Sequence, residues 1–311
     1  MQGRIIRGVG GFYDVLLPDA ETVRCKARGR FRNDGVTPMV GDLVEISRPE
    51  TGFASMDEIL PRANALLRPP VANIDLLVIV LSAGVPKPDL LLADKLLVQA
   101  LTLKIEPLLV LNKIDDAKQE ITDEFLSDYA AFSTLLVSSR TGEGLDALGA
   151  ALEKHVSCFA GQSAVGKSSL LNALFPELSL ETGELSKHTE RGKHTTRQAE
   201  LWPFPGGAVL DTPGFSLFEM SELSQEALNS CYPEFAQAAS ECRFTGCRHN
   251  SEPDCAVKAL LVSGKLAKGR YARYLEIQKE IEEKRKHRYD YAVFSESRFQ
   301  WNRLDKGDRP I

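Results

Sequence analysis

Up to about residue 68 the apolar positions come in short runs, broken by Gly, Pro and Asp and showing no helical period. Residues 9–16, 21–31 and 42–46 each read as a strand, and together they suggest a small β-barrel. After Arg68-Pro69-Pro70 the pattern changes. Strand-like runs at 74–81, 107–111, 134–137, 155–159 and 207–210 alternate with helical stretches at 89–103, 123–132, 145–154 and 167–175. Such alternation predicts βαβ units on a largely parallel sheet, with 200–204 as an edge strand. From about residue 221 strands vanish. A Cys/His cluster is followed by an amphipathic helix with Tyr271, Tyr274, Leu275, Gln278 and Ile281 on one face, then a polar, basic tail. These shifts divide the chain into three expected domains, 1–68, 69–220 and 221–311.

Composition narrows the function classes. The chain has 311 residues, 43% apolar and 26% charged, with a net charge of −5, as expected of a folded protein rather than a nucleic-acid coat. The longest apolar run, 76–81, is far too short to span a membrane and reads as a buried strand. The first residues lack the apolar core of an export signal, so the cytoplasm is the expected address and no membrane partner is expected. Of the six cysteines, Cys242, Cys247 and Cys255 crowd together with His249, which suggests a metal before disulfides. Cys25, Cys158 and Cys231 are too scattered to join them and read as buried thiols.

Gly161, Gln162, Ser163, Ala164, Val165, Gly166, Lys167 and Ser168, continued by Ser169, match the phosphate-binding loop G-x-x-x-x-G-K-[ST]. Glycines let the backbone wrap a phosphate chain, the lysine reaches the terminal phosphates and the serine hydroxyl suits Mg²⁺. Asp211-Thr212-Pro213-Gly214 follows a strand; Asp211 could hold Mg²⁺ through water, and the Gly214 N–H could sense a γ-phosphate. Asn112-Lys113-Ile114-Asp115 ends another strand. A carboxylate at Asp115 can accept from both N1–H and the exocyclic amine of guanine, a donor pair that adenine lacks. Asn112 would brace that loop, Lys113 would lie against the base, and Ser138-Ser139-Arg140 ends the next strand where a backbone N–H could meet the guanine O6. Alone, each of the shorter motifs could be a plain turn or helix cap. With the phosphate loop, they specify GTP over ATP.

The order of the motifs is unusual. Guanine recognition precedes the phosphate loop, and the Asp211 motif comes last, so the central domain reads as a circularly permuted α/β P-loop GTPase. The chain leaving Gly214 runs directly into the C-terminal region, which offers a backbone route from nucleotide state to that region. The basic stretch 186–197 suits a switch loop, with Thr195 or Thr196 as Mg²⁺ ligand. Phe215 stands where many GTPases carry a water-orienting glutamine, which predicts slow intrinsic hydrolysis and a partner that accelerates it. His194 is a candidate for the group that orients the water.

Three sulfurs and an imidazole in the pattern C-x4-C-x-H-x5-C make a closed tetrahedral set for one structural Zn²⁺. Charged and polar neighbours such as Glu241, Arg243, Arg248 and Asp254 fit a core explanation poorly.

With these residues identified, the chain resembles the ribosome small-subunit-dependent GTPase family, over essentially its whole length. The resemblance rests on Pro38-Met39-Val40-Gly41-Asp42, Asn73-Ile74-Asp75, Asn112 to Asp115, Gly161 to Ser169, His194-Thr195-Thr196, Asp211 to Gly214 and the Cys/His cluster. Where many members have a third threonine, this chain has Arg197. The resemblance implies an N-terminal OB-type barrel, a mostly helical C-terminal zinc-binding domain, GTP and GDP as ligands, and the small ribosomal subunit with its rRNA as partner and stimulator of hydrolysis. A monomer is expected.

The residues add their own argument for RNA. Arg24, Lys26, Arg28, Arg30 and Arg32 alternate at period two, so one extended strand would put all five on one face. Lys284 to Arg288 is a second basic run. The acidity lies in the middle: 1–68 holds 10 basic and 9 acidic side chains, 69–220 holds 12 and 20, and 221–311 holds 16 and 14. Two function hypotheses follow. One is a GTP hydrolase that assists late small-subunit maturation; the other is a GTP-gated scaffold or signalling switch that recruits proteins through the zinc module.

Overall fold

The computed structural model describes residues 1–67, 70–178, 199–211 and 223–304. The chain divides into two compact units, Met1–Phe218 and Glu219–Ile311.

The first unit opens with β1 (Gln2–Val9), β2 (Phe12–Leu16), β3 (Thr22–Ala27), a short helix α1 (Gly29–Asn33), β4 (Leu43–Ser47) and β5 (Ala54–Ile59). The strands pair in the order β1-β2-β3-β5-β4, and β4 returns to β1, which closes a five-stranded barrel. Alternation places Ile5, Val15, Cys25, Val44, Ile46 and Met56 in its interior.

Three expectations need correction here. Residues 9–16 are not one strand: Gly10 and Gly11, at φ +61° and +83°, turn the chain back between β1 and β2. Residues 21–31 are not one strand either. β3 ends at Ala27, and α1 follows because Phe31, 7% exposed, turns inward on a helical turn. Arg28, Arg30 and Arg32 therefore lie beyond the strand, and the five basic residues share no single strand face. Strand β5, with Ser55, Asp57 and Glu58 in it, was masked by its polarity.

Between barrel and nucleotide-type sheet runs a two-stranded ribbon, β6 (Ala65–Leu67) and β7 (Pro70–Ala72), which no pattern announced. Here the 38–42 segment has a structural task. The buried Asp42 carboxylate accepts from the Met39 N–H at 2.7 Å and from Arg62 Nε and a terminal guanidinium nitrogen at 2.6 and 2.8 Å. Gly41 sits at φ +92°, and a Cβ there would lie 2.0 Å from the Ala72 carbonyl oxygen, so only bare backbone fits.

The larger sheet contains β8 (Leu76–Ser82), β9 (Glu106–Asn112), β10 (Ser133–Leu136), β11 (Val156–Ala160), β12 (Glu200–Phe204) and β13 (Gly207–Asp211), in the order β10-β9-β8-β11-β13-β12. All are parallel except β12, the expected edge strand, which runs antiparallel to β13. Every residue of β8 is buried, because both faces of a parallel sheet are covered. Leu77, Ile79, Leu96, Leu109 and Leu111 fill one core layer; Val78, Val80, Leu108, Leu148, Leu170 and Val209 fill the other. The covering helices are α2 (Leu90–Thr102, capped by the Asp89 carboxylate), α3 (Gln119–Asp128), α4 (Leu145–Leu152) and α5 (Lys167–Leu174). Helix α3 starts and ends four residues earlier than the pattern predicts, since Tyr129 and Phe132 close a turn behind it. At Arg7 and Glu200, β1 meets β12, so barrel and parallel strands belong to one continuous sheet.

The second unit holds α6 (Gln225–Ser230), α7 (Pro233–Ala239), α8 (Ala256–Val262) and the long α9 (Lys268–Leu304), with no strand among the described residues. Tyr271, Tyr274, Gln278 and Ile281 are buried on α9 as expected, but Ile277 is buried too, and Leu275 is only partly so. Arg270, 1% exposed, pairs with Glu234 at 2.9 Å and lies 4.2 Å over the Tyr232 ring. Cys25, Cys158 and Cys231 are buried thiols. Among the described residues no helix is long and apolar enough to cross a membrane.

Candidate functional site

Strand β11 delivers Gly161 at φ +139°, where a Cβ would lie 2.2 Å from the Val80 carbonyl oxygen. The loop then turns through Ser163, Ala164 and the buried Val165 to Gly166 (φ +99°), which starts α5 at Lys167. Ser168 and Ser169 occupy the first turn of α5, where backbone N–H groups lack helical partners. Lys167 folds over its own loop: Nζ donates to the carbonyl oxygens of Gly161 and Gln162, both at 2.8 Å. Burial lowers its pKa below the ordinary lysine value. Phosphate oxygens and those two carbonyls would compete for the same ammonium.

Across the sheet, β9 ends on Asn112, fully buried. Its Nδ2 donates to the Val165 carbonyl at 2.9 Å, and its Oδ1 accepts from the Ser139 N–H at 3.2 Å. One side chain thus fastens the 161–166 loop and the 138–140 loop together. The fit is tight: a Cβ on Gly166 would lie 2.3 Å from Asn112 Nδ2. Lys113, at φ +66°, reaches the carbonyls of Ala164 at 2.8 Å and Val85 at 2.5 Å.

Asp115 follows on a short 3-10 turn. Its Oδ1 accepts from the Ser138 hydroxyl at 2.5 Å, and its Oδ2 lies 2.5 Å from the Arg140 guanidinium. The Ser138 hydroxyl foremost, with Arg140 and Lys113 behind it, holds the carboxyl below its usual range against the opposing effect of burial. A carboxylate so held can accept two parallel N–H donors. Ser138 is itself fixed, with its N–H on the Glu143 carbonyl and its oxygen accepting from Thr141.

Asn112, Lys113, Asp115, Ser138 and Ser139 therefore meet the phosphate-type loop in one place. Asp211 closes β13, which lies beside β11 in the sheet. His194, Thr195, Thr196 and Gly214, like Phe215 and the 186–197 stretch, lie outside the described residues. Two contacts escaped the sequence reading. Arg140 carried a signal, a long cation next to a serine pair that meets a carboxylate; the Val85 carbonyl carried none.

In the second unit, the ligand atoms of Cys242, Cys247, His249 and Cys255 all lie within 4.8 Å of one another. Tetrahedral Zn²⁺, with bonds of about 2.3 Å to sulfur and about 2.1 Å to nitrogen, sets S···S edges of about 3.8 Å and S···N edges of about 3.6 Å. The structure has Cys242 and Cys255 sulfurs 3.9 Å apart and His249 Nδ1 3.7 and 3.4 Å from them, so the donor set fits such an ion. His249 is held at φ +57° with its carbonyl accepting from the Tyr271 hydroxyl at 2.6 Å, while Phe235 packs edge-on against its ring. Of the neighbouring polar residues, Arg243, Arg248, Asn250 and Asp254 are exposed and Glu252 is partly so.

The chain is similar to known proteins over most of its length. A family profile described as RsgA GTPase matches residues 59–221, and one described as RsgA N-terminal domain matches residues 2–54. The small ribosomal subunit biogenesis GTPase RsgA of Caldanaerobacter subterraneus subsp. tengcongensis is 42% identical over 93% of this chain and 98% of its own length. The protein of that name from Bacillus subtilis is 39% identical, over 93% and 99%. Among solved structures, YjeQ from Thermotoga maritima superposes with a TM-score of 0.79 at 32% identity, covering 90% of this chain and 98% of that one. YloQ, described as a circularly permuted GTPase, gives 0.77 at 35% identity, covering 91% and 95%. The permuted motif order, the barrel and the nearly end-to-end matches have one reading: the chain belongs to the RsgA GTPase family and is a GTP-hydrolysing enzyme.

Proposed function

We propose that the chain binds the small ribosomal subunit, assists its late maturation, and leaves when the particle stimulates GTP hydrolysis. The observation that supports this reading is the fastening of the Asp115 loop to the 161–166 loop through Asn112, which sets them side by side as a guanine and its phosphates would require. Names that tie the relatives to small-subunit biogenesis support the choice of particle.

In this reading Asp115 selects guanine, Asn112 and Lys113 hold the base loop, and Ser138 and Ser139 close it. Residues 161–169 cradle the phosphates, with Lys167 on the terminal ones. Mg²⁺ arriving with GTP would be held by Ser168, Asp211 and one of Thr195 and Thr196, and would neutralise charge on the phosphate oxygens. Gly214 senses the γ-phosphate and His194 orients the attacking water. One Zn²⁺ on Cys242, Cys247, His249 and Cys255 has a structural role. The domains act as 1–68, 69–220 and 221–311, in a cytoplasmic monomer.

For RNA, the barrel offers a smaller face than the sequence pattern promised. Arg24 lies 5.4 Å over the Phe12 ring, and Phe12 meets the exposed Phe53 ring at 5.0 Å, beside Lys26. Stacking rings among cations suit unpaired bases and their phosphates.

The test is GTP turnover by the purified chain with and without small ribosomal subunits, with RNA binding followed across salt. A rise in turnover with the particle, and RNA binding that weakens as salt increases, are expected. No stimulation together with no salt-dependent RNA binding would overturn the reading.

A further inference from the structure

The guanine-type pocket contains its own competitor. Asp115 has two carboxylate oxygens: Ser138 holds Oδ1, and Arg140 lies on Oδ2 at 2.5 Å. Guanine presents N1–H and an exocyclic N–H side by side; a guanidinium is a planar set of N–H donors with a full positive charge in addition, and here one terminal nitrogen of Arg140 lies on Oδ2. The two ligands need the same carboxylate edge. Asp115 is anchored, its side chain 12% exposed, whereas Arg140 is 75% exposed and free to swing outward on its long stem.

We propose that Arg140 is an internal competitor of guanine, which occupies the Oδ2 side of the Asp115 carboxylate, must swing off for the base to seat, and thereby sets the affinity and release rate of the nucleotide. This rests on the guanine reading of Asp115 given above. Ser138 does not compete, because a hydroxyl on one oxygen leaves its other lone pair open. Lys113 does not compete either, because its ammonium is engaged by the carbonyls of Ala164 and Val85. An ion pair this exposed is modest, so the competition amounts to about two- to fivefold in affinity, and salt weakens it.

The experiment measures equilibrium and stopped-flow binding of fluorescent GDP to the full chain, for wild type, Arg140→Met, Arg140→Ala and Arg140→Lys. Methionine keeps the apolar stem and removes the charge. At low salt, Arg140→Met and Arg140→Ala are expected to bind about two- to fivefold more tightly than wild type, with Arg140→Lys between. Because salt acts on phosphate contacts in all variants alike, the informative quantity is the ratio of variant to wild type, which is to approach one at about 1 M salt. In an Asp115→Asn background assayed with xanthosine diphosphate, Arg140→Met is to give no further gain, since the contested charge is gone. Equal or weaker GDP binding by Arg140→Met, or a gain that salt does not diminish, overturns the proposal. A wild type that binds ADP as well as GDP overturns the guanine reading instead. One that prefers GDP but shows no gain in the variants overturns only the role of Arg140.

Discussion

Asn112 and Val165 are 53 residues apart in the chain, yet the buried Asn112 amide donates to the Val165 carbonyl at 2.9 Å. The same side chain accepts from Ser139, so it holds two loops in register with a third. Replacing Asn112 with alanine leaves the buried Val165 carbonyl and the part-buried Ser139 N–H without these partners, at about 1–3 kcal/mol for the buried carbonyl and less for the N–H. GDP affinity is expected to fall at least about tenfold, since 1.4 kcal/mol is roughly a factor of ten. Unchanged affinity in a folded Asn112→Ala chain would remove the brace from the account.

Lys167 predicts a pH dependence. Burial lowers its pKa in the free chain, whereas nearby phosphate charge raises it in the complex. The complex therefore binds the proton more tightly, and nucleotide binding takes up protons between the two pKa values. Affinity for GDP is to fall as pH rises through the lowered pKa, below the ordinary lysine value of about 10.4. Calorimetry in buffers of different ionisation enthalpy measures the uptake; proton release in that window would contradict the assignment.

The pairing of Arg62 with the buried Asp42 predicts a stability effect remote from nucleotide chemistry. Removing one partner of a buried pair costs about 3–5 kcal/mol, and the 24% exposure of Arg62 reduces this to about 2–4 kcal/mol. Arg62→Ala is expected to lower the Tm of the first unit by roughly 5–10 °C, and Arg62→Lys by less, since lysine lacks the two-pronged grip. A Tm within a degree of wild type would show that the contact carries little.

The Cys/His cluster predicts one tightly held zinc. Burial foremost, and then the neighbouring thiols, push Cys247 up to about 12, so at neutral pH its thiol is protonated until a metal displaces the proton. Metal uptake should release protons and weaken as pH falls. Chelation or Cys255→Ser is expected to strip the ion and cost helical circular dichroism, read alongside metal content. Full helicity after complete metal loss would show that the unit folds without it.

Which parts of this were legible in the sequence follows from what each residue touches. The βαβ alternation was readable because parallel strands are buried on both faces and their helices on one. The 161–168 pattern, Asp115 and the Cys/His cluster stood out because particular residue types occur there at particular spacings, and the structure brings the members of each set together. Strand β5 did not stand out, since Ser55, Asp57 and Glu58 face outward and its inward positions hold small or flexible residues. Arg28, Arg30 and Arg32 misled for the opposite reason: alternation continued past Ala27 while the backbone had already turned to bury Phe31. Contacts through carbonyls, such as Val85 to Lys113, depend on backbone path and leave no mark on side-chain pattern.

The strand order also bears on synthesis. β9 is made next to β8, β10 next to β9, and β11 then joins the other side of β8, before the β12–β13 hairpin adds beside β11. No strand has to insert between two already paired, so the sheet can grow outward from β8 and β9 in the order in which the residues emerge. In this arrangement the half that carries Asn112 to Asp115 is assembled first, and the 161–166 loop is laid onto it as a late addition.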